Sequence, residues 1–133
     1  KSRVHLIALL DTLEYLKRGG RISGAAALAG GILSIKPVIT LRDGAVAVIG
    51  KARGSKNAGN LLSQMIEKYG VDFSMPYALG YTGLSDATLL KYKEDSARLW
   101  VGHTDDLPIM ATGSVIGTHA GPGALGVAFF GLK

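Results

Sequence analysis

The segment Val38-Ile-Thr-Leu-Arg-Asp43-Gly44-Ala-Val-Ala-Val-Ile49 decides the fold class. Asp-Gly between two apolar runs signals a two-residue type I′ turn, because both turn positions need positive φ and these residues tolerate it. Such a turn fixes the register. Leu41 then faces Val46 and Ile39 faces Val48, and all four share one side of the hairpin. Thr40, Arg42, Ala45 and Ala47 fall on the other. An antiparallel hairpin is therefore predicted in the middle of the chain.

Working outward, helical periods alternate with strands. Toward the C-terminus, Ser55 is placed to cap a helix of about four turns. Ala58, Leu61, Leu62, Met65, Ile66 and Tyr69 follow at helical spacing, and Gly70 ends the stripe. A short strand is predicted over Tyr77 to Tyr81. A second helix, capped by Ser85, runs to about Leu99. Strands or a strand-turn-strand unit are expected at Ile109 to Met110, Val115 to His119 and Ala124 to Phe130. Toward the N-terminus, Val4 to Leu10 reads as a buried strand. Asp11 and Glu14 have capping-box spacing before a short helix, Thr12 to Arg18. Ser23 can cap another through Leu28. The class is α/β: a mixed sheet containing the hairpin, packed against helices.

The composition excludes several functions. The 133 residues suit one domain, and 47% apolar content is ample for a core. No apolar run reaches the roughly 18 residues of a membrane helix. Zero cysteines removes disulfides, thiolate metal ligands and cysteine nucleophiles, and fits a reducing, cytoplasmic setting. The net charge of +5 allows an acidic partner. No interleaved aromatic platform supports nucleic-acid binding. Neither a nucleophile elbow nor a phosphate-binding Walker loop is present. No metal or cofactor is expected. His103, beside Asp105 and Asp106, reads as a polar loop rather than a metal ligand. His5 reads as structural and Trp100 as a core or interface anchor. The chain opens Lys1-Ser2-Arg3-Val4 straight into a strand, so it reads as a domain cut from a longer protein.

The 19 glycines are not spread evenly. Five lie within Gly19 to Gly31 around Arg21, and five within Gly113 to Gly126 around His119. Glycine permits positive φ and close approach of another molecule to the backbone. An arginine fork before a helix start suits a carboxylate or phosphate. A histidine beside Thr118 can donate to the same anion. Blander readings stand beside these. Gly19-Gly20 is also a helix C-cap, Arg21 also a surface ion-pair partner, and His119 also a satisfied core histidine. Residue types and spacing alone reach an anion-binding α/β domain.

Asp11-Thr-Leu-Glu-Tyr-Leu-Lys-Arg-Gly-Gly-Arg-Ile22 resembles the signature segment of the DegV family. Ile35-Lys-Pro-Val38, Asp43-Gly44, Lys51-Ala-Arg-Gly54 and Ile116-Gly-Thr-His-Ala-Gly-Pro-Gly-Ala-Leu-Gly126 continue that family's pattern in order. The resemblance covers essentially the whole chain and implies that residues 1–133 are a DegV C-terminal domain, its N-terminal partner domain absent. It implies a bacterial carrier that performs no chemistry itself. A long-chain fatty acid would be held between the domains and presented to a partner fatty acid kinase, which makes acyl phosphate for phospholipid metabolism. It further implies His119 as the carboxylate contact and Arg21 as the arginine near the head group. Thr118 and Gly20 flank them as candidate ligand-binding positions, and Arg53 becomes the kinase-docking arginine. Ala25 to Leu28, Ile32, Leu33, Ile35, Val38 and Ile39 could wall the acyl chain, although ordinary core packing accounts for most of them. The competing reading is an enzyme domain acting on a small carboxylated or phosphorylated substrate through Arg21 and His119. The basic trio Lys51, Arg53 and Lys56 is balanced between a solvated face and partner docking.

Overall fold

The computed structural model describes residues 3–12, 35–83, 85–103, 107–111 and 123–132. Along the chain these form β1 (Val4–Leu9), β2 (Ile35–Arg42), β3 (Ala45–Arg53) and α1 (Ser55–Tyr69). Then come β4 (Ala78–Tyr81), α2 (Ala87–Asp95), a 3-10 turn (Ala97–Trp100), β5 (Ile109–Ala111) and β6 (Leu125–Phe130). The expected elements at Thr12–Arg18, Ser23–Leu28 and Val115–His119 lie outside the described residues, except for Thr12 itself.

The strands make one six-stranded sheet in the order β3-β2-β1-β6-β4-β5. Only β4 and β5 run parallel, and every other neighbouring pair is antiparallel. The sheet is mixed, as the sequence predicts. The hairpin, central in the chain, lies at one margin of the sheet.

Its register is the expected one. Leu41 pairs with Val46 and Ile39 with Val48, and both turn residues have positive φ, 53° at Asp43 and 80° at Gly44. Further along, the register slips between Val38 and Ile39, so that Val38 faces Gly50. This bulge adds one residue to β3. Both Ile49 and Gly50 thereby face α1: Ile49 packs on the main core, and a Cβ added at Gly50 would stand 3.0 Å from the Leu61 Cδ2.

The main core lies between the sheet and the two helices. Ile7, Leu62, Leu79, Leu89 and Trp100 are among its fully buried members. Burying each such side chain stabilises the fold by roughly 1.5–3 kcal/mol. The stripe on α1 is as expected, with Ala58, Leu62 and Ile66 buried and Leu61, Met65 and Tyr69 packed against them.

The helix ends differ from expectation in detail. Gly54, at φ 82°, is the N-cap of α1, Ser55 is its first helical residue, and no side chain caps it. Asn57 instead donates to the Arg53 carbonyl at 3.1 Å. The second helix stops at Asp95 rather than Leu99. Ser96 explains the stop. Its hydroxyl donates back to the Tyr92 carbonyl at 2.7 Å and accepts the Trp100 indole N–H at 3.2 Å. A hydroxyl bonded to the carbonyl four residues earlier competes with regular helix.

The first strand is buried on one side only. Ile7 and Leu9 enter the main core, while Val4 and Leu6 are exposed. Alternation of side chains explains this, and among the described residues both helices pack on the Ile7 and Leu9 face. On the other face, Leu10, Ile39 and Ala124 form a small separate cluster, with Ala8, Val46 and Val48 against it. Leu6, Leu41 and Met110 extend that face, with Leu41 54% and Met110 56% exposed. Val38 and Ile39, grouped by the sequence reading as one acyl wall, therefore belong to opposite faces.

Candidate functional site

Arg21, Gly20, Thr118 and His119 lie outside the described residues. The residues on either side of their segments are described, and pairing places them together. Leu9 at the end of β1 pairs with Val38 near the start of β2 and with Leu125 at the start of β6. Leu125 also pairs with Tyr81 at the end of β4, which pairs with Ala111 at the end of β5. Thus the flanks of 13–34, which holds Arg21, and the flanks of 112–122, which holds His119, meet at one end of the sheet. Arg53 reaches the same end, because Ile35 pairs with it.

Specific contacts join the flanks. Leu10 N–H donates to the Pro37 carbonyl at 2.9 Å. The Lys36 ammonium forms an ion pair with the Asp11 carboxylate. On the other side, the Thr82 hydroxyl accepts the Ala124 N–H at 3.0 Å, and the Thr82 carbonyl accepts the Gly123 N–H at 3.3 Å. Gly123 has φ 79°, and a Cβ built there would stand 3.8 Å from the Asp11 Cβ. Asp11 therefore lies near the base of both segments. Asp11 and Lys36 appear in the sequence only as a helix cap and a motif lysine. The signal that finds them is position, since each borders the first glycine cluster.

A cleft of about 630 Å³ opens on the helix side of this end, between α1, α2 and the strand termini. Its floor includes Leu9 and Leu125, and its rim carries Lys36, Lys56 and Lys91 with Asp11 and Asp95. Lys91 pairs with Asp95 at 3.1 Å across one helical turn. Tyr92 lines the wall, its hydroxyl 2.9 Å from that of Ser63. Burial pushes the Tyr92 phenol above its ordinary pKa, against smaller lowering effects of the Ser63 and Ser96 bonds.

The other singled-out residues are placed plainly. Lys51, Arg53 and Lys56 are all exposed at the junction of β3 and α1. His103 stacks face to face on Phe73, with centroids 3.9 Å apart, and lies edge-on to Tyr77 at 6.1 Å. His5 stacks on Tyr69 at 4.0 Å, and its buried Nε2 has no hydrogen-bond partner among the described residues. Both histidines thus sit in aromatic packing. Among the described residues no group of three or more metal-ligating side chains converges. No helix there is long and apolar enough to cross a membrane.

The described residues define an α/β unit, a mixed sheet with two helices on one face, and the flanks of two glycine-rich segments meet at one end of that sheet. The family model described as "Uncharacterised protein, DegV family" matches residues 1–131, and the chain belongs to the DegV family. It is 38% identical over 127 residues to a DegV domain-containing protein of Caldanaerobacter subterraneus, covering 96% of this chain and 45% of that one. A solved DegV family protein from Thermus thermophilus, described by its fatty acid binding, is similar with 30% identity and a TM-score of 0.75. That match covers 98% of this chain and 46% of the other. The fatty acid kinase B3 protein of Streptococcus pneumoniae, solved with linoleic acid, has the same fold at a TM-score of 0.79. Its identity is 20%, over 97% of this chain and 45% of that one. The chain therefore spans less than half the length of these relatives.

Proposed function

We propose that this chain is the C-terminal domain of a two-domain fatty-acid carrier, and that the described sheet end supports the head-group site. The observation that carries the reading is the convergence of both glycine-rich segments' flanks on that end. A single carboxylate needs few polar groups, precisely placed. Arg21 and His119, with Thr118 and Gly20 beside them, are the groups we assign to it. The Arg21 guanidinium offers a fork of N–H donors to the carboxylate, and the His119 ring offers one more. The related Thermus protein, described by its fatty acid binding, supports the ligand class. The exposed apolar sheet face begins at the same end and supplies wall suited to an acyl chain.

The carrier performs no chemistry of its own in this reading. The lipid is presented to a partner fatty acid kinase, for which Arg53 is the docking residue. Its exposure beside Lys51 and Lys56 suits an acidic partner surface. The N-terminal domain completes the site from the other side, and the protein works in the cytoplasm.

Affinity measurements on the full-length protein test the head-group assignment. His119→Ala removes a hydrogen bond to a charged group, worth about 1.5–3 kcal/mol. Oleate should then bind more weakly by a factor of about 10 to 150. Unchanged affinity would remove His119 from the site. Arg53→Ala should leave oleate affinity intact while slowing phosphorylation of the bound lipid by the kinase. Equal rates would return Arg53 to a solvated surface charge.

A further inference from the structure

We propose that the outer edge of β3 pairs with the same edge of a second copy of this chain, antiparallel and with Ala47 on the two-fold axis. The inference is independent of the fatty-acid reading above.

Among the described residues, no strand pairs with the outer edge of β3. Such an edge invites pairing with another chain unless shortness, charge, proline or a bulge protects it. At the opposite margin β5 is only three residues long, but β3 runs for nine. Lys51, Arg53 and the register slip protect only its second half. The stretch Ala45-Val-Ala-Val-Ile49 holds no charge and no proline.

The hairpin fixes which backbone groups of this stretch are free. In a two-residue hairpin the residues flanking the turn, here Arg42 and Ala45, bond to each other. Bonded and non-bonded pairs then alternate. Thr40 and Ala47 form the next bonded pair, so the amides and carbonyls of Val46 and Val48 point away from β2. The inner strand agrees. The Pro37 carbonyl accepts the Leu10 N–H from β1. Counting on by two turns Ile39, which lies opposite Val48, toward β1 as well.

A second copy fits because the edge is self-complementary. With Ala47 on the axis, Val46 of each copy lies opposite Val48 of the other, and their free backbone groups bond directly. The valine side chains, which pack with Ile39 on the apolar face, then meet as β-branched cross-strand pairs. The same register sets the exposed Asp43 of each copy opposite the exposed Lys51 of the other. Ala47 meets its own counterpart at the non-bonded spacing of about 4.5 Å between Cα atoms, where its small side chain fits. So short a paired segment buries less than the roughly 1,200 Å² of a stable interface, so the dimer is weak and forms at high protein concentration.

The experiment uses the full-length protein, with any cysteine outside residues 1–133 replaced by serine, since these residues hold none. Ala47→Cys brings two thiols within disulfide reach across the axis. In Ala45→Cys the two thiols are offset by four residues along the strands, about 13 Å, beyond that reach. Under oxidised glutathione, Ala47→Cys should become a covalent dimer while Ala45→Cys stays monomeric. In sedimentation, the mass of the cysteine-free parent should rise toward that of a dimer with concentration. Lys51→Glu, which sets carboxylates opposite each other, should weaken that association about threefold or more. Failure of Ala47→Cys to cross-link, equal cross-linking of the two cysteine variants, or a parent that stays monomeric at every concentration overturns the proposal. So does a Lys51→Glu protein that associates as well as the parent. None of these readouts involves lipid, so their failure leaves the fatty-acid reading untouched.

Discussion

Replacing Gly44 tests the hairpin on which the fold reading rests. Gly44 has φ 80°, and nothing stands within 4 Å of a Cβ built there. A side chain at this position therefore meets no neighbour, and the cost of substitution is backbone strain alone. For an L-residue in the left-handed region that strain is about 1–2 kcal/mol. Gly44→Ala should lose about that much stability. Gly44→Asn should lose clearly less, because asparagine tolerates the same region. With a urea slope of about 1–3 kcal/mol/M, the alanine midpoint should fall by roughly 0.3–2 M. Trp100, fully buried and the only tryptophan of the chain, gives the fluorescence readout. The reasoning is refuted if alanine costs nothing, or if alanine and asparagine cost the same. Either result would mean that positive φ at residue 44 does not determine the turn.

Two further outcomes follow from titrating groups. Tyr92 has its phenol pKa raised by burial. The neutral form is thus favoured on folding, with that stability present below the ordinary value near 10.0 and lost as pH rises through the higher folded value. Tyr92→Phe should flatten the alkaline limb of a stability-pH profile and cost about 0.5–1.5 kcal/mol near neutrality, through the lost bond to Ser63. An alkaline limb as steep as the parent's would contradict this. Asp72 has its carboxyl held below the usual range by the Ser74 hydroxyl, then by the Arg3 guanidinium and the Ser74 amide. Its contribution is present above the ordinary value near 3.8 and fades as pH falls through the lower folded value. Asp72→Asn should make stability less sensitive to pH in that acidic window, measured by thermal unfolding; an unchanged profile would count against it.

Much of the framework is legible in the sequence because it rests on local rules. Asp43-Gly44 fixes its register through positive φ, and the stripe from Ala58 to Tyr69 buries itself by helical spacing. What stays hidden depends on contacts between distant residues. The bulge that turns both Ile49 and Gly50 toward α1 sets Gly50 beside Leu61, which no strand alternation announces. The early stop of α2 comes from Ser96 bonding both Tyr92 and Trp100. The separation of Val38 from Ile39, by contrast, is plain strand alternation, which grouping both in one acyl wall overlooked. At the candidate site, Arg21, His119 and Arg53 stand out by residue type and motif. Asp11, Lys36, Thr82 and Gly123 gain meaning only once β1, β2, β4 and β6 are paired.

Native mass spectrometry of the full-length protein after addition of oleate tests the central claim most directly. The account predicts a complex holding one fatty acid per protein, depleted in the His119→Ala variant. A parent protein that stays empty after gentle purification and excess oleate would contradict it.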